Sequence, residues 1–262
     1  MRLLIFGMHR SGTSLLVRTL EGLGLWAGEE DDFHPPTAHD PEGHREHRLA
    51  LQLNEAALAS IDRTWDHPAG IDWSRLPAAR RADVLGAINE LVATLDQHSD
   101  WVVKDPRLCL TLPLWRERIE PACVLVHRDP LEVARSLHSR DGMSIRAGVE
   151  LWEEYNRRAI VNSDGLDRLL VHHADLVSHP DRTAAQLHDW LAPRRSGPPP
   201  PLPAAAPVRT ELVRHHADDR ESAASMDPGQ RRLRAALLTA TANPTDEAIA
   251  ELSAIAAEHS GE

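Results

Sequence analysis

Two cysteines in 262 residues are too few for a disulfide framework, and Cys109 and Cys123 both stand in apolar surroundings. They suit buried structural positions in a reduced compartment. No long apolar run is present and the chain enters a strand-like segment at residue 2, so neither a membrane anchor nor a secretion signal is expected. A cytoplasmic protein follows. Positive charge is also short: 29 Lys and Arg against 40 Asp and Glu leave a net charge of −11. Nucleic acid is therefore not an expected partner, because phosphate backbones bind basic surfaces. What remains is the length and composition of one α/β catalytic domain with a substantial core.

The first motif lies at the start of the chain. Leu3-Leu4-Ile5-Phe6 reads as a buried parallel strand, and Leu15, Leu16, Leu20 and Leu23 give the apolar face of a helix that Gly22 and Gly24 stop. Between them runs a glycine-bounded loop, Gly7 to Gly12. Strand, loop and helix in this order cradle phosphate, since helix N-terminal amides and the helix dipole attract an anion. Gly7 and Gly12 have phosphate-loop spacing and Ser14 holds the hydroxyl position, but Thr13 stands where a Walker lysine would be. The basic group is Arg10, inside the loop, with a fork of donors. The expected anion is not a magnesium-bound γ-phosphate. The same string also suits an ordinary strand-turn-helix connection.

Two further segments end in charge in the same way. Ala122 to His127 reads as a strand feeding a helix, with Asp129 as N-cap and Pro130 as first helical residue. Arg128 then stands at the carboxyl end of the strand, and Ser136 about two turns into the helix. Trp101-Val102-Val103-Lys104 is a short β-branched run that ends in a lysine before Asp105-Pro106-Arg107. Ligands of open α/β sheets bind beyond the carboxyl ends of the strands, so Arg10, Lys104 and Arg128 are expected to share one rim. Taken singly, each could be a surface cation paired with a carboxylate.

In these residues the chain resembles the sulfotransferases that use 3′-phosphoadenosine 5′-phosphosulfate (PAPS), especially a bacterial branch with Gly-Met-His-Arg-Ser-Gly-Thr-Ser loops. The resemblance implies that Arg10, Ser11, Gly12, Thr13 and Ser14 bind the 5′-phosphosulfate and that Arg128 and Ser136 bind the 3′-phosphate. Lys104 resembles a basic residue that cytosolic members place before their 3′-phosphate strand. His173-Ala174-Asp175-Leu176-Val177 resembles the family's Tyr-Glu-Asp-Leu segment, with His173 on the adenine side. The implied fold is a three-layer, P-loop-like α/β fold with a central, mostly parallel sheet flanked by helices. The implied reaction is direct sulfuryl transfer from PAPS, without a metal, to a hydroxyl or amine of a glycan, lipid or small natural product. Arg10 and Lys104 would stabilise the departing oxygen.

Departures from the pattern are plain. Pro106 stands where cytosolic members have a histidine base, Leu15 where their adenine-stacking tryptophan would be, and no Arg-Lys-Gly segment occurs near the C-terminus. Some members of the wider family use a glutamate about 20 residues after the loop arginine, and Glu29 and Glu30 fall there. Glu30 is the first expectation for the base, Glu29 the second, with His34 and Glu46 behind them. Glu29-Glu30-Asp31-Asp32 also reads as a solvated charge run. The rival readings are a P-loop kinase, with Asp105 or Asp129 holding magnesium, and a non-catalytic nucleotide-binding protein.

His34, His39, His44 and His47 lack a recognised metal-ligand spacing and read as a polar loop. Ala50 to Ile61 and Leu85 to Leu95 have helical periodicity, as do about 144 to 163; Leu169 to Val171 suggest a further strand. Residues 1–192 make the sulfotransferase-like domain, 193–207 a Pro/Ala-rich linker, and 208–262 a helical segment packed on the same domain.

Overall fold

The computed structural model describes residues 1–35, 43–202 and 215–258. Four strands, β1 (Arg2–Phe6), β2 (Trp101–Lys104), β3 (Ala122–His127) and β4 (Arg168–His172), form one sheet in the order β2-β1-β3-β4. Every pairing is parallel. Parallel strands need crossovers that cover both faces, which is why β1 is apolar along both sides. Leu4 and Phe6 face one core, and Leu3 and Ile5 the other.

The Leu3/Ile5 face is closed by α1 (Thr13–Gly22) and α8 (Pro180–Leu191), which contribute Leu16, Val17, Leu20, Leu187 and Leu191. The Leu4/Phe6 face carries the larger core. It takes side chains from α2 (Arg48–Ala59), α3 (Ala78–Leu95), α4 (Leu108–Arg116), α5 (Pro130–Asp141) and α6 (Ile145–Asn162). The short helices α7 (His173–Ser178) and α9 (Asp219–Ala224) precede the last two, α10 (Pro228–Ala242) and α11 (Asp246–Ala257). Leu233, Leu237, Leu252 and Ile255 bring α10 and α11 into the larger core. The fold is thus α/β, a four-stranded parallel sheet between helices.

Within the stretch read as a linker, Ala192–Arg194 form a short 3-10 turn. Arg195 then donates to the carbonyls of Leu23 and Gly24 at the end of α1 and pairs with Asp100. Residues 203–207 of that stretch lie outside the described residues, as does His39. Among the described residues no helix is long and apolar enough to cross a membrane. Both cysteines are buried and free, and burial pushes the Cys123 thiol up to about 12.

Candidate active site

The loop after β1 turns on two residues of left-handed backbone, Arg10 at φ 69° and Gly12 at φ 89°. Only glycine fits where the loop passes its neighbours: a Cβ on Gly7 would stand 2.1 Å from the Val126 carbonyl oxygen, and one on Gly12 would stand 2.4 Å from the His173 ring. The N-terminus of α1 has no side-chain cap and no acidic residue in its first turn. Its first amides therefore remain available to an anion. Ser11 Oγ is enclosed beside them without a partner.

On the β3 side, Arg10 Nε donates to Ser136 Oγ at 3.0 Å. Arg128 donates to the Arg10 carbonyl at 3.1 Å, to Glu132 at 2.8 Å and to the His215 carbonyl at 3.0 Å. Arg10, Arg128 and Ser136 are therefore one cluster. α5 starts where it does because Asp129 accepts from the Leu131 and Glu132 amides and Pro130 opens the helix. His173, the first residue of α7, is buried against Gly12. Burial, then Arg128, His172 and His216, hold its imidazole neutral, well below the usual range.

On the β2 side stands Lys104, which is the chain's single lysine. Its ammonium is nearly enclosed and spends its three donors on Ser14 Oγ at 3.2 Å, the His44 carbonyl at 2.6 Å and Glu46 at 2.6 Å. Arginine is planar and forked; a compact ammonium fits three convergent acceptors. Burial opposes the charge on Glu46, but Lys104 outweighs it and draws the carboxyl below its usual value. Behind this pair, Asp105 accepts from the Arg107 amide and guanidinium and from Asn54. Asn54 in turn accepts from Thr111 and Trp115. This buried network fixes the end of β2.

A sequence model for the sulfotransferase family matches residues 2–193. The chain belongs to that family. Among solved structures, this sulfotransferase is similar to the sulfotransferase domain from the curacin biosynthetic pathway, at 19 % identity and a TM-score of 0.45, over 86 % of this chain and 82 % of that one. It is also similar to the sulfotransferase domain from the Synechococcus PCC 7002 olefin synthase, at 17 % identity and a TM-score of 0.42, over 97 % of this chain and 93 % of that one. No curated protein matches.

The expected site residues of this sulfotransferase fall into two sets. Loop residues 10 to 14, Lys104, Arg128, Ser136 and His173 converge on the carboxyl edge of the sheet. Glu29 and Glu30 belong to a 3-10 turn after α1, where Glu29 accepts from Trp26 and Glu30 from Arg45. Among the described residues no hydrogen bond or ion pair joins either glutamate to the loop, and the Glu30 side chain is 85 % exposed. Glu46 is the carboxylate that meets Lys104. From the sequence no role was expected for His9, Asn54 or Arg107; for Arg107 the signal was a buried-strand end followed by Asp-Pro-Arg. No cluster of potential metal ligands occurs among the described residues.

Proposed function

We propose that this sulfotransferase moves a sulfuryl group from PAPS to a hydroxyl or amine of a glycan, lipid or small natural product, and that it acts in the cytoplasm. The observation that carries the reading is the strand order. Across the sheet edge stand Lys104 at the end of β2, the anion loop after β1, Arg128 after β3 and His173 after β4. That sequence of groups follows PAPS from sulfuryl to 5′-phosphate to 3′-phosphate to adenine. The residues suit it: uncapped amides and the Ser11 and Ser14 hydroxyls for the 5′ side, and Arg128, Ser136 and the Arg10 guanidinium for the 3′-phosphate. When bound, PAPS supplies the sulfuryl group: the acceptor oxygen–sulfur or nitrogen–sulfur bond forms, the bridging oxygen–sulfur bond breaks, and its electron pair stays on the 5′-phosphate.

Lys104 and the loop amides stabilise that oxygen, with Arg10 adding charge from the 3′ side. An anionic oxygen at the loop competes with Glu46 for the Lys104 ammonium. The carboxylate released from Lys104 regains basicity beside the reacting centre and takes the acceptor proton. Glu46 thereby takes precedence over Glu30 and Glu29 for this task. The kinase reading loses ground with its metal ligands, because Asp105 is spent on Arg107 and Asn54 and Asp129 caps α5 and pairs with Arg234. Titration of the pure protein with adenosine 3′,5′-bisphosphate (PAP) and with ADP plus magnesium tests the reading. PAP should bind well over about tenfold tighter without magnesium, since each charge-assisted contact to the 3′-phosphate contributes roughly 1.5–3 kcal/mol. Equal affinities, or an absolute need for magnesium, would remove PAPS as the donor.

A further inference from the structure

His9 lies inside the anion loop, one residue before Arg10, and the motif assigns it no contact. The residue is 7 % exposed, and Nε2 is enclosed without a hydrogen-bond partner. Leaving a buried polar atom unpaired costs about 1–3 kcal/mol, and most buried polar atoms avoid it. Packing does not explain the residue type. The ring lies 4.6 Å from Trp65 and edge-on to Tyr155 at 5.6 Å, contacts that a phenylalanine would make equally well. What phenylalanine lacks is the ring nitrogen.

The surroundings define what that nitrogen can do. Burial first, then Arg107, Arg140, Lys104 and Arg10, keep the imidazole neutral, well below the usual histidine range. An imidazolium would join four cations, so His9 is a poor proton acceptor. As a neutral ring it keeps one donor and one acceptor. Such a group suits holding a hydroxyl in place while another residue takes the proton.

We propose that His9 is an acceptor-binding residue whose Nε2 hydrogen-bonds a hydroxyl carried on a ring and aims it at the Lys104 end of the loop. The inference rests on the sulfuryl-transfer reading above, and its bond changes are the same, with the proton passing to Glu46. Trp65 and Tyr155 form the aromatic wall of the seat. Trp65 stands on the segment between α2 and α3, held by the Tyr155 hydroxyl on its carbonyl at 2.8 Å and by the Arg140 guanidinium 5.2 Å from its ring centre. Its indole packs over His9.

The test compares native protein with His9→Phe and His9→Gln, using 4-nitrophenol, methyl glucoside and water as probe acceptors. Three quantities are read: PAP affinity, affinity of 4-nitrophenol for the PAP-bound protein, and steady-state consumption of PAPS. His9→Phe should keep PAP affinity and melting temperature, weaken 4-nitrophenol about tenfold and lower kcat/KM for the acceptor by about 10- to 100-fold. His9→Gln should recover part of both losses. If the Phe variant does not fold, His9→Ala with added imidazole replaces it, and failure of imidazole to restore transfer counts against the proposal. A Phe variant that binds 4-nitrophenol and consumes PAPS like native protein overturns it. Failure of native protein to bind PAP refutes the nucleotide reading itself. PAP binding without PAPS consumption, even with water, refutes the transfer reading and His9's part in it.

Discussion

A chain that uses arginine for every other permanently cationic side chain and lysine once, enclosed beside Ser14 and Glu46, makes Lys104 the residue to probe first. Lys104→Arg keeps the charge but replaces a point donor by a plane too large for three acceptors within 3.2 Å. It should lower PAPS turnover by about 100-fold, the scale expected when a preorganised donor is lost; turnover near the native rate would show that charge alone suffices at this position. Glu46→Gln preserves size and removes basicity. It should leave PAP affinity nearly unchanged while cutting transfer by about 100-fold or more. Because the chain has one lysine, 15N-lysine labelling yields a single side-chain resonance. PAP should shift that resonance in native protein and in Glu46→Gln alike, whereas a merely structural carboxylate would disturb PAP binding as much as turnover. Since Lys104 holds the Glu46 carboxyl below its usual 4.5, the free enzyme should show no acid-side inflection from this group above about pH 4.5.

At the level of elements, the site depends on how closely β1 approaches β3. A methyl group at Gly7 would meet the Val126 carbonyl oxygen at 2.1 Å, and a backbone oxygen inside a parallel ladder has nowhere to go. Gly7→Ala should therefore destabilise the protein by about 3 kcal/mol or more in urea unfolding, above the usual overpacking cost. Native-like stability would mean that the loop leaves β1 along another path. The same elements mark what could be read in advance. β1 to β4, the α1 loop, α5 and α6 were legible because apolar runs, glycines, Asp129-Pro130 and a 3.6-residue period are local signals. α4 was not, since Leu108–Arg116 is buried nearly all round and carries Pro113 inside, which hides its period and imitates a breaker. The glutamate beside Lys104 was harder still. Spacing from Arg10 favoured Glu29 and Glu30, but the contact that matters spans 58 residues and depends on where the chain returns before α2.

For the whole molecule, acid should be the weak side. Burial first, and then neighbouring cations and imidazoles, hold His9, His127 and His173 well below their usual 6.5. His127 also joins two parts of the fold, meeting Thr241 of α10 at 2.7 Å and stacking on His172. Below about pH 6.5 the unfolded chain binds protons on these three rings and the folded chain does not, so unfolding takes up protons and stability falls with pH. Each ring can contribute a slope of up to about 1.4 kcal/mol per pH unit. Asp105 has the opposite sign, because burial outweighs Arg107 and raises its carboxyl; one carboxyl against these rings, to which the lowered His47, His172 and His215 add, leaves the net direction unchanged. Urea midpoints should therefore drop steeply from pH 6.5 to 5.5 and change little from 7.5 to 8.5. His127→Phe keeps the ring stack with His172 and removes one of these titrating sites, so it should flatten the acid slope. An acid slope as steep in this variant as in native protein would mean that His127 is not held neutral in the fold.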